Sequence, residues 1–175
     1  MSPRIAAATV LAILAAAGPT ASASADPATS DALLKGSFQM SGRVTVAHNV
    51  RGERVGQLVT RAWTFSPACA AAPCATVQLV RARSGATDTL TLEQTRSGSY
   101  AGSGLFYAPL RCSGRIYPQG QEIPFRITVR ITATNGTTAS AISATYVNRK
   151  RKNLTPCIGV LGHDSARYVG LLTPG

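Results

Sequence analysis

The sequence predicts an all-β domain of about eight antiparallel strands. Polar and apolar residues alternate over long stretches, and short turn signals separate those stretches. Beyond the N-terminal 25 residues, no segment shows the spacing of apolar residues that is typical of a helix. Consecutive hairpins favour an up-and-down β-barrel, and a two-sheet β-sandwich is the alternative if the longer loops cross over.

The alternation also places the individual strands. It is strongest over 121–133, where six apolar residues alternate with mostly polar ones. Longer loops are predicted at 48–54, 108–120 and 149–165. Gly102 and Gly104 indicate a bulge or a sharp bend in the strand predicted at 99–107. Strands are predicted at roughly 37–47, 56–66, 75–83, 87–95, 99–107, 121–133, 138–148 and 166–172.

Asn135-Gly136 predicts a hairpin between the sixth and seventh strands, because this dipeptide is a strong two-residue turn signal. With these two residues as the turn, Val129 would lie opposite Ile142. Apolar residues would then meet apolar residues at every inward pair, so the register is well specified.

Ser84-Gly85 predicts a second hairpin, between the third and fourth strands. This turn places Leu79 opposite Leu90 and Arg81 opposite Asp88. Because the ion pair lies near a turn, we expect it to contribute about 1 kcal/mol at most to stability.

The N-terminal residues have the pattern of a secretory signal peptide. Arg4 precedes an apolar run from Ile5 to Ala17, and small residues follow up to Ala25. The run is shorter than the ~20 residues that span a bilayer, so we expect cleavage near Ala25 and no transmembrane segment afterwards. The predicted division is a signal peptide over 1–25, a flexible N-terminal arm over 26–35 and the β-domain over 36–175.

The four cysteines all follow the predicted cleavage site, and an even number in an oxidising compartment favours disulfides. The spacing of Cys69 and Cys74 is not that of a C-x-x-C redox motif, and no second close pair completes a metal site. We prefer the pairs Cys69–Cys74 and Cys112–Cys157, and a crossed pairing such as Cys69–Cys112 is the alternative.

The chain is strongly basic, with 18 Lys and Arg against 7 Asp and Glu and a formal net charge of +11. Such a surface attracts an anionic cell-surface polymer or lipid headgroups. An arginine-rich composition typical of high-GC bacteria is the alternative explanation. Aromatic residues do not interleave with the basic run 148–153, so we do not expect nucleic acid. The candidate anion-binding residues are Arg126, Arg130, Arg149, Lys150, Arg151 and Lys152.

A solvated hairpin end that protects a sheet edge is the other interpretation of that basic run. Arg61 poses a similar choice, because alternation places it on the same strand face as Trp63 and Phe65. It would either cap the core at the end of the strand, which we prefer, or mark the mouth of a ligand cavity.

The sequence contains no G-x-S-x-G elbow, H-E-x-x-H or P-loop, so we expect no catalytic residue, metal or cofactor. His163-Asp164 is the one adjacent acid–base pair, but neighbours on a strand point to opposite faces. A secreted hydrolase-like enzyme with a site around these two residues, at the rim of the barrel, remains the alternative.

The stretches WTFSPACAAAPCATVQLVR and FRITVRITATNGTTASAISATY resemble those of small exported β-proteins of actinobacteria. The resemblance implies an exported β-domain and no particular activity. In size and strand count the chain is also similar to lipocalin-type carriers, although residues 36–38 have Phe where their G-x-W motif has Trp. We predict a secreted monomer that binds a small apolar ligand or an anionic surface polymer without catalysis. A structural or inhibitory domain that acts through a protein partner is a further alternative.

Overall fold

A computed structural model of the chain describes residues 32–83, 85–159 and 161–174, which form eight antiparallel strands. Each strand pairs with its neighbours in sequence, and the last pairs with the first, so the sheet is a closed up-and-down barrel and not a sandwich. The predicted signal peptide and residues 26–31 of the arm lie outside the described residues. The strands are β1 Gly36–His48, β2 Leu58–Pro67, β3 Thr76–Arg83, β4 Ala86–Arg96, β5 Ser99–Cys112, β6 Arg115–Asn135, β7 Thr138–Asn153 and β8 Leu161–Leu172.

The barrel has an upper and a lower end, because successive strands run in opposite directions. The upper end carries the β1–β2 loop (49–57), the β3–β4 and β5–β6 turns, and the β7–β8 loop (154–160). The lower end carries the β2–β3 loop (68–75) and the β4–β5 and β6–β7 turns.

Residues 32–34 are buried at the lower end, although the sequence placed them in a flexible arm. The N–H of Leu33 donates to the carbonyl of Thr137 at 2.8 Å, and the N–H of Ala139 donates to the carbonyl of Leu33 at 2.9 Å. Ala32 and Leu34 pack into the core. These residues extend the apolar interior, which explains why they do not remain in solvent.

Apolar side chains fill the lower and middle parts of the barrel. The two-residue period of each strand directs alternate residues inward, as the sequence predicts. Burial of each large side chain contributes about 1.5–3 kcal/mol relative to exposure. The largest buried residues are Trp63, Tyr100, Phe38, Phe65, Leu34, Met40, Leu79, Leu92, Ile123, Ile127, Ile142 and Val77.

The β6–β7 hairpin is confirmed, but its register differs by two residues from the predicted one. Ile131, and not Val129, lies opposite Ile142, because Gly136 and Thr137 form the turn. Gly136 adopts the left-handed conformation with φ of 58°. A shift of two residues preserves the inward and outward faces, so the predicted core positions remain correct. The β3–β4 register is as predicted.

The predicted loops at 108–120 and 149–165 are largely strand. β5 and β6 continue to a tight turn at Ser113-Gly114, and β7 extends to Asn153 before β8 begins at Leu161. Register shifts interrupt the pairing between Ala108 and Leu110 and again in the upper part of β7. These shifts break the regular alternation on which the sequence-based prediction depends.

Both preferred disulfides are confirmed. Cys69–Cys74 closes the β2–β3 loop at the lower end, and Cys112–Cys157 joins the β5–β6 turn to the β7–β8 loop at the upper end. The two bonds are consistent with an extracellular protein. In the described ranges, no helix is long and apolar enough to cross a membrane.

Candidate functional site

Charged side chains line a cavity of about 130 Å³ inside the upper end of the barrel. Strands β2, β3, β7 and β8 supply most of them, and the β1–β2 loop adds an acid. Phe106 and Tyr168 complete much of the lining. We call the following residues the mouth cluster: Glu53, Arg61, Arg81, Arg83, Tyr146, Arg151 and Asp164.

Asp88 holds two arginines of the mouth cluster. Its Oδ2 accepts hydrogen bonds from Arg81 Nη2 and Arg83 Nε, each at 2.6 Å, and its Oδ1 accepts one from Arg83 Nη2 at 2.9 Å. The Arg81 and Asp88 side chains are only 6% and 9% exposed. The predicted pairing is confirmed. Removing one partner of a buried pair costs about 3–5 kcal/mol, because the other charge is left buried and unpaired.

Aromatic rings cover the two guanidinium groups. The guanidinium carbon of Arg81 lies 4.3 Å from the ring centroid of Phe125, and that of Arg83 lies 3.9 Å from that of Phe106. Arg81 is also 5.2 Å from the ring of Tyr146. Desolvated cation–π contacts of this kind are each worth about 2 kcal/mol, so they help to fix these arginines inside the barrel.

Arg151 lies between two carboxylates without a hydrogen bond to either. Its Nη1 is 3.9 Å from Glu53 Oε1, and its Nε is 3.9 Å from Asp164 Oδ1. These distances are longer than a hydrogen bond. Arg151 is therefore attracted to both carboxylates, but its N–H groups are not used in hydrogen bonds to them. Glu53 comes from the β1–β2 loop, and this loop therefore covers part of the cavity.

A local irregularity in β7 turns Arg151 inward. Asn148 Oδ1 accepts a hydrogen bond from the Lys150 N–H at 2.8 Å, and the β7–β8 register shifts between Asn148 and Arg151. The extra residue changes the face on which later side chains lie. Arg151 becomes buried, whereas simple alternation from Tyr146 would have directed Lys150 inward.

Burial raises the pKa of Asp164, although the nearby Arg151 and the neighbouring Tyr146 hydroxyl oppose the rise. Burial also raises the pKa of Glu53, and the Asp164 carboxylate raises it further. Both effects favour the uncharged acids, because a charge loses hydration inside the barrel and like charges repel. Four arginines and two acids line the cavity, so positive charge is in excess there even when both acids are ionised.

Four side-chain atoms of the mouth cluster are buried and have no hydrogen-bond partner in the described part of the chain. They are Arg81 Nε, Tyr146 Oη, Arg151 Nε and Asp164 Oδ1. A buried polar atom without a partner costs about 1–3 kcal/mol. Three of the four can donate, so the arrangement is suited to an acceptor of hydrogen bonds that carries negative charge.

The structure divides the predicted anion-binding residues. Arg126, Arg149 and Lys150 border one shallow groove on the outer wall, together with Pro124 and Val147. Arg130 borders a separate groove, with Arg96 and Arg167. Arg126 and Arg130 are both exposed, as the alternation predicts.

The remaining two candidates, Arg151 and Lys152, border neither groove. Arg151 was predicted on the surface, and this was wrong, because it is buried in the mouth cluster. Lys152 is exposed but forms an ion pair with Glu122, with 2.7 Å between Nζ and Oε1. Its charge is therefore partly neutralised.

His163 and Asp164 do not form an acid–base pair. Both lie on β8, where Asp164 points into the barrel and His163 is exposed, as the strand alternation requires. The His163 ring stacks on that of His48, with 4.8 Å between the centroids. Across the described ranges, no three His, Cys, Asp or Glu side chains are grouped so that they could hold a metal ion.

We did not predict Arg81, Tyr146 or Glu53 as site residues from the sequence. Arg81 had a usable signal, because it alternates onto the same face as Val77 and Leu79. Arg61 is half-buried and lines the cavity, a position compatible with both interpretations of that residue. An arginine at an inward-facing position of a strand is thus the pattern that indicates this site.

Three donors of the mouth cluster and its excess of positive charge can hold a small anion in a partly covered cavity. Phe106 offers an apolar surface beside them. These features fit recognition of an organic acid, because its charged end and its apolar end each meet a matching surface. No protein-family model, no curated protein and no solved structure matches the chain.

Proposed function

We propose that this protein is an exported, non-catalytic binding domain that holds a small organic anion in the mouth cluster. The observation behind the proposal is that Arg81 and Arg151 line one cavity and that each has a buried Nε atom without a partner among the described residues. A carboxylate would accept hydrogen bonds from these donors, and charge-assisted bonds are the strong ones. The polar lining favours an anion over the apolar ligand expected from the sequence.

The size of the cavity limits the ligand. Its volume of about 130 Å³ is close to that of an apolar cavity that holds benzene, about 150 Å³. A ligand of roughly six to nine non-hydrogen atoms therefore suits the cavity. Phe106 and Tyr146 favour a flat or compact apolar part, so benzoate is a suitable probe.

Export is supported by the N-terminal sequence pattern and by the two disulfides. In this proposal the segment up to Ala25 is removed, and the barrel acts outside the cell. An exported binding domain of this size would meet its ligand in the extracellular medium or at the cell surface.

Isothermal titration with benzoate and with the neutral benzyl alcohol tests the proposal. We expect benzoate to bind and benzyl alcohol to bind much more weakly. The single tryptophan, Trp63, provides a second readout, because its ring is 5.3 Å from that of Tyr168, which lines the cavity.

The substitution Arg151→Gln should weaken benzoate binding by about ten-fold or more, because a hydrogen bond to a charged group contributes about 1.5–3 kcal/mol. Arg149→Gln is the matched control, since it removes the same charge from the exposed side of β7. Equal affinity for the acid and the alcohol would refute the proposal, as would equal effects of the two substitutions. Failure of acetate, pivalate and benzoate to bind at millimolar concentration would also refute it.

A further inference from the structure

Five aliphatic side chains project into solvent around the upper end of the barrel. Each is between 60% and 72% exposed, although each is large enough to be buried in an ordinary core. They lie in or directly beside three different connections between strands and not in one continuous segment. These residues are Val55, Leu58, Ile116, Ile158 and Leu161.

The three connections are tied to one another. The Cys112–Cys157 disulfide joins the β5–β6 turn to the β7–β8 loop. Asn49 Nδ2, in the β1–β2 loop, donates to the carbonyl oxygen of Leu161 at 3.0 Å. The aliphatic side chains are therefore held in one rim around the cavity mouth, and they do not lie on independent loops.

Arginines accompany these apolar side chains. Arg51 and Arg54 are exposed in the β1–β2 loop, and Arg111 and Arg115 are exposed beside the β5–β6 turn. We call these four arginines and the five aliphatic residues the upper rim.

No acidic side chain among the residues that the structure describes forms an ion pair with an arginine of the upper rim. Glu122 pairs with Lys152, and Asp88 pairs with arginines of β3. Glu53 and Asp164 belong to the mouth cluster, and Glu93 lies near the lower end of β4. The upper rim is therefore both apolar and cationic.

We infer that the upper rim docks on an anionic lipid bilayer, with the cavity mouth facing the membrane. Transfer of exposed aliphatic side chains from water into the interface of a bilayer is favourable. Arginines bind lipid phosphates through bidentate hydrogen bonds. Each arginine near an anionic membrane contributes about five-fold to partitioning. A soluble polyanion could bind the four arginines but would leave the five aliphatic side chains in water. A lipid bilayer contacts both kinds of side chain, so the composition of the upper rim favours lipid.

Co-sedimentation with vesicles tests the inference. The disulfide-bonded protein is mixed with vesicles of phosphatidylcholine alone or of phosphatidylcholine with phosphatidylglycerol. We expect binding to the anionic vesicles, weaker binding as salt increases, and little binding to phosphatidylcholine alone.

One pair of variants tests the aliphatic residues. Leu58→Ser with Leu161→Ser should weaken partitioning by about ten-fold or more. Val169→Ser with Leu171→Ser is the matched control, because these two side chains are similarly exposed but lie toward the lower end of β8. The control should bind like the wild type.

A second pair tests the arginines. Arg54→Gln with Arg115→Gln should weaken binding to anionic vesicles by about ten-fold or more. Arg126→Gln with Arg130→Gln removes equal charge from the wall of the barrel and should have little effect. If the wall variant lost binding and the rim variant kept it, the protein would bind anions through its outer grooves, and the inference would be wrong.

Hydrogen–deuterium exchange of the wild type provides a measurement that does not depend on the folding of variants. Anionic vesicles should protect residues 51–58 and 154–159 and leave the β6–β7 turn unchanged. Absence of vesicle binding at low salt would overturn the inference, as would equal protection of both ends of the barrel. Protection of the rim by a soluble acidic protein but not by vesicles would indicate a protein partner and would also overturn it.

Discussion

Asp88 fixes the positions of two arginines of the mouth cluster. It accepts hydrogen bonds from both Arg81 and Arg83, and no other carboxylate within the described ranges forms an ion pair with either arginine. The sequence predicted the pairing of Arg81 with Asp88, because the turn position and the apolar faces specify the register. It did not predict that the pair is buried, because burial depends on the rings of Phe106 and Phe125 from other strands.

Asp88→Asn should lower the free energy of unfolding by about 3 kcal/mol at neutral pH, because it leaves the buried guanidinium group of Arg81 and the partly buried one of Arg83 without a carboxylate. Burial opposes ionisation of Asp88, but the hydrogen bonds from Arg83 and Arg81 hold its pKa below the ordinary value of 3.8. The ionised side chain therefore stabilises the fold above that value, and this stabilisation is lost as the pH falls through the lowered pKa. The difference between wild type and variant should shrink accordingly.

Urea unfolding of both proteins between neutral and strongly acidic pH measures that difference. The other acids of the mouth cluster are present in both proteins, so their titration largely cancels. Glu93→Gln, on the same strand but exposed, is the control and should change stability little at any pH. A pH-independent effect of Asp88→Asn would show that the charge of Asp88 does not contribute to stability.

Glycines in β5 allow this strand to pack closely against its neighbours, because they have no side chain. The sequence indicated a bulge or a sharp bend at Gly102 and Gly104. The β5–β6 register is continuous from Ser99 to Ala108, so no bulge interrupts that pairing. A side chain at Gly102 would instead collide with the Thr91 carbonyl oxygen of β4. The absence of a Cβ permits this close approach of two strands.

Gly102→Ala should lower the free energy of unfolding by about 1–3 kcal/mol, because the added methyl group overpacks against backbone that has little freedom to move. Ser103→Ala is the control at the adjacent exposed position, and its effect should remain within about 0.5 kcal/mol. Thermal unfolding monitored by circular dichroism measures both. Equal stability of the two variants would mean that β4 and β5 separate easily at this point.

The whole molecule is a barrel braced by one disulfide at each end. Cys112–Cys157 spans 45 residues and Cys69–Cys74 spans five, so in the chain-entropy account they contribute about 4 and 2 kcal/mol. The long bond also joins two connections of the upper rim. It therefore links the stability of the barrel to the geometry of the surface that we propose to meet lipid.

The exported form should lack residues 1–25 and contain both disulfides. Its intact mass without reduction should be lower than that of the reduced form by four hydrogens. Tryptic digestion without reduction should link the peptide 112–115 to the peptide 153–167, and the peptide 62–81 should contain an internal disulfide. Full-length protein in the medium, or free thiols in the native material, would contradict this expectation.

The sequence by itself determined the all-β class, the barrel preferred over the sandwich, the β3–β4 register and the disulfide pairs. The strand class and the register follow from short-range signals, because strand alternation has a period of two and turns involve neighbouring residues. Cys69 and Cys74 are also close in sequence, and their pairing leaves Cys112 to pair with Cys157. Only the tertiary structure decided that Arg151 is buried while Arg149 is exposed, and that Arg61, Arg81 and Asp164 share one cavity. Bulges and barrel closure depend on pairing between strands distant in sequence, so local alternation does not reveal which charged side chains meet inside the barrel.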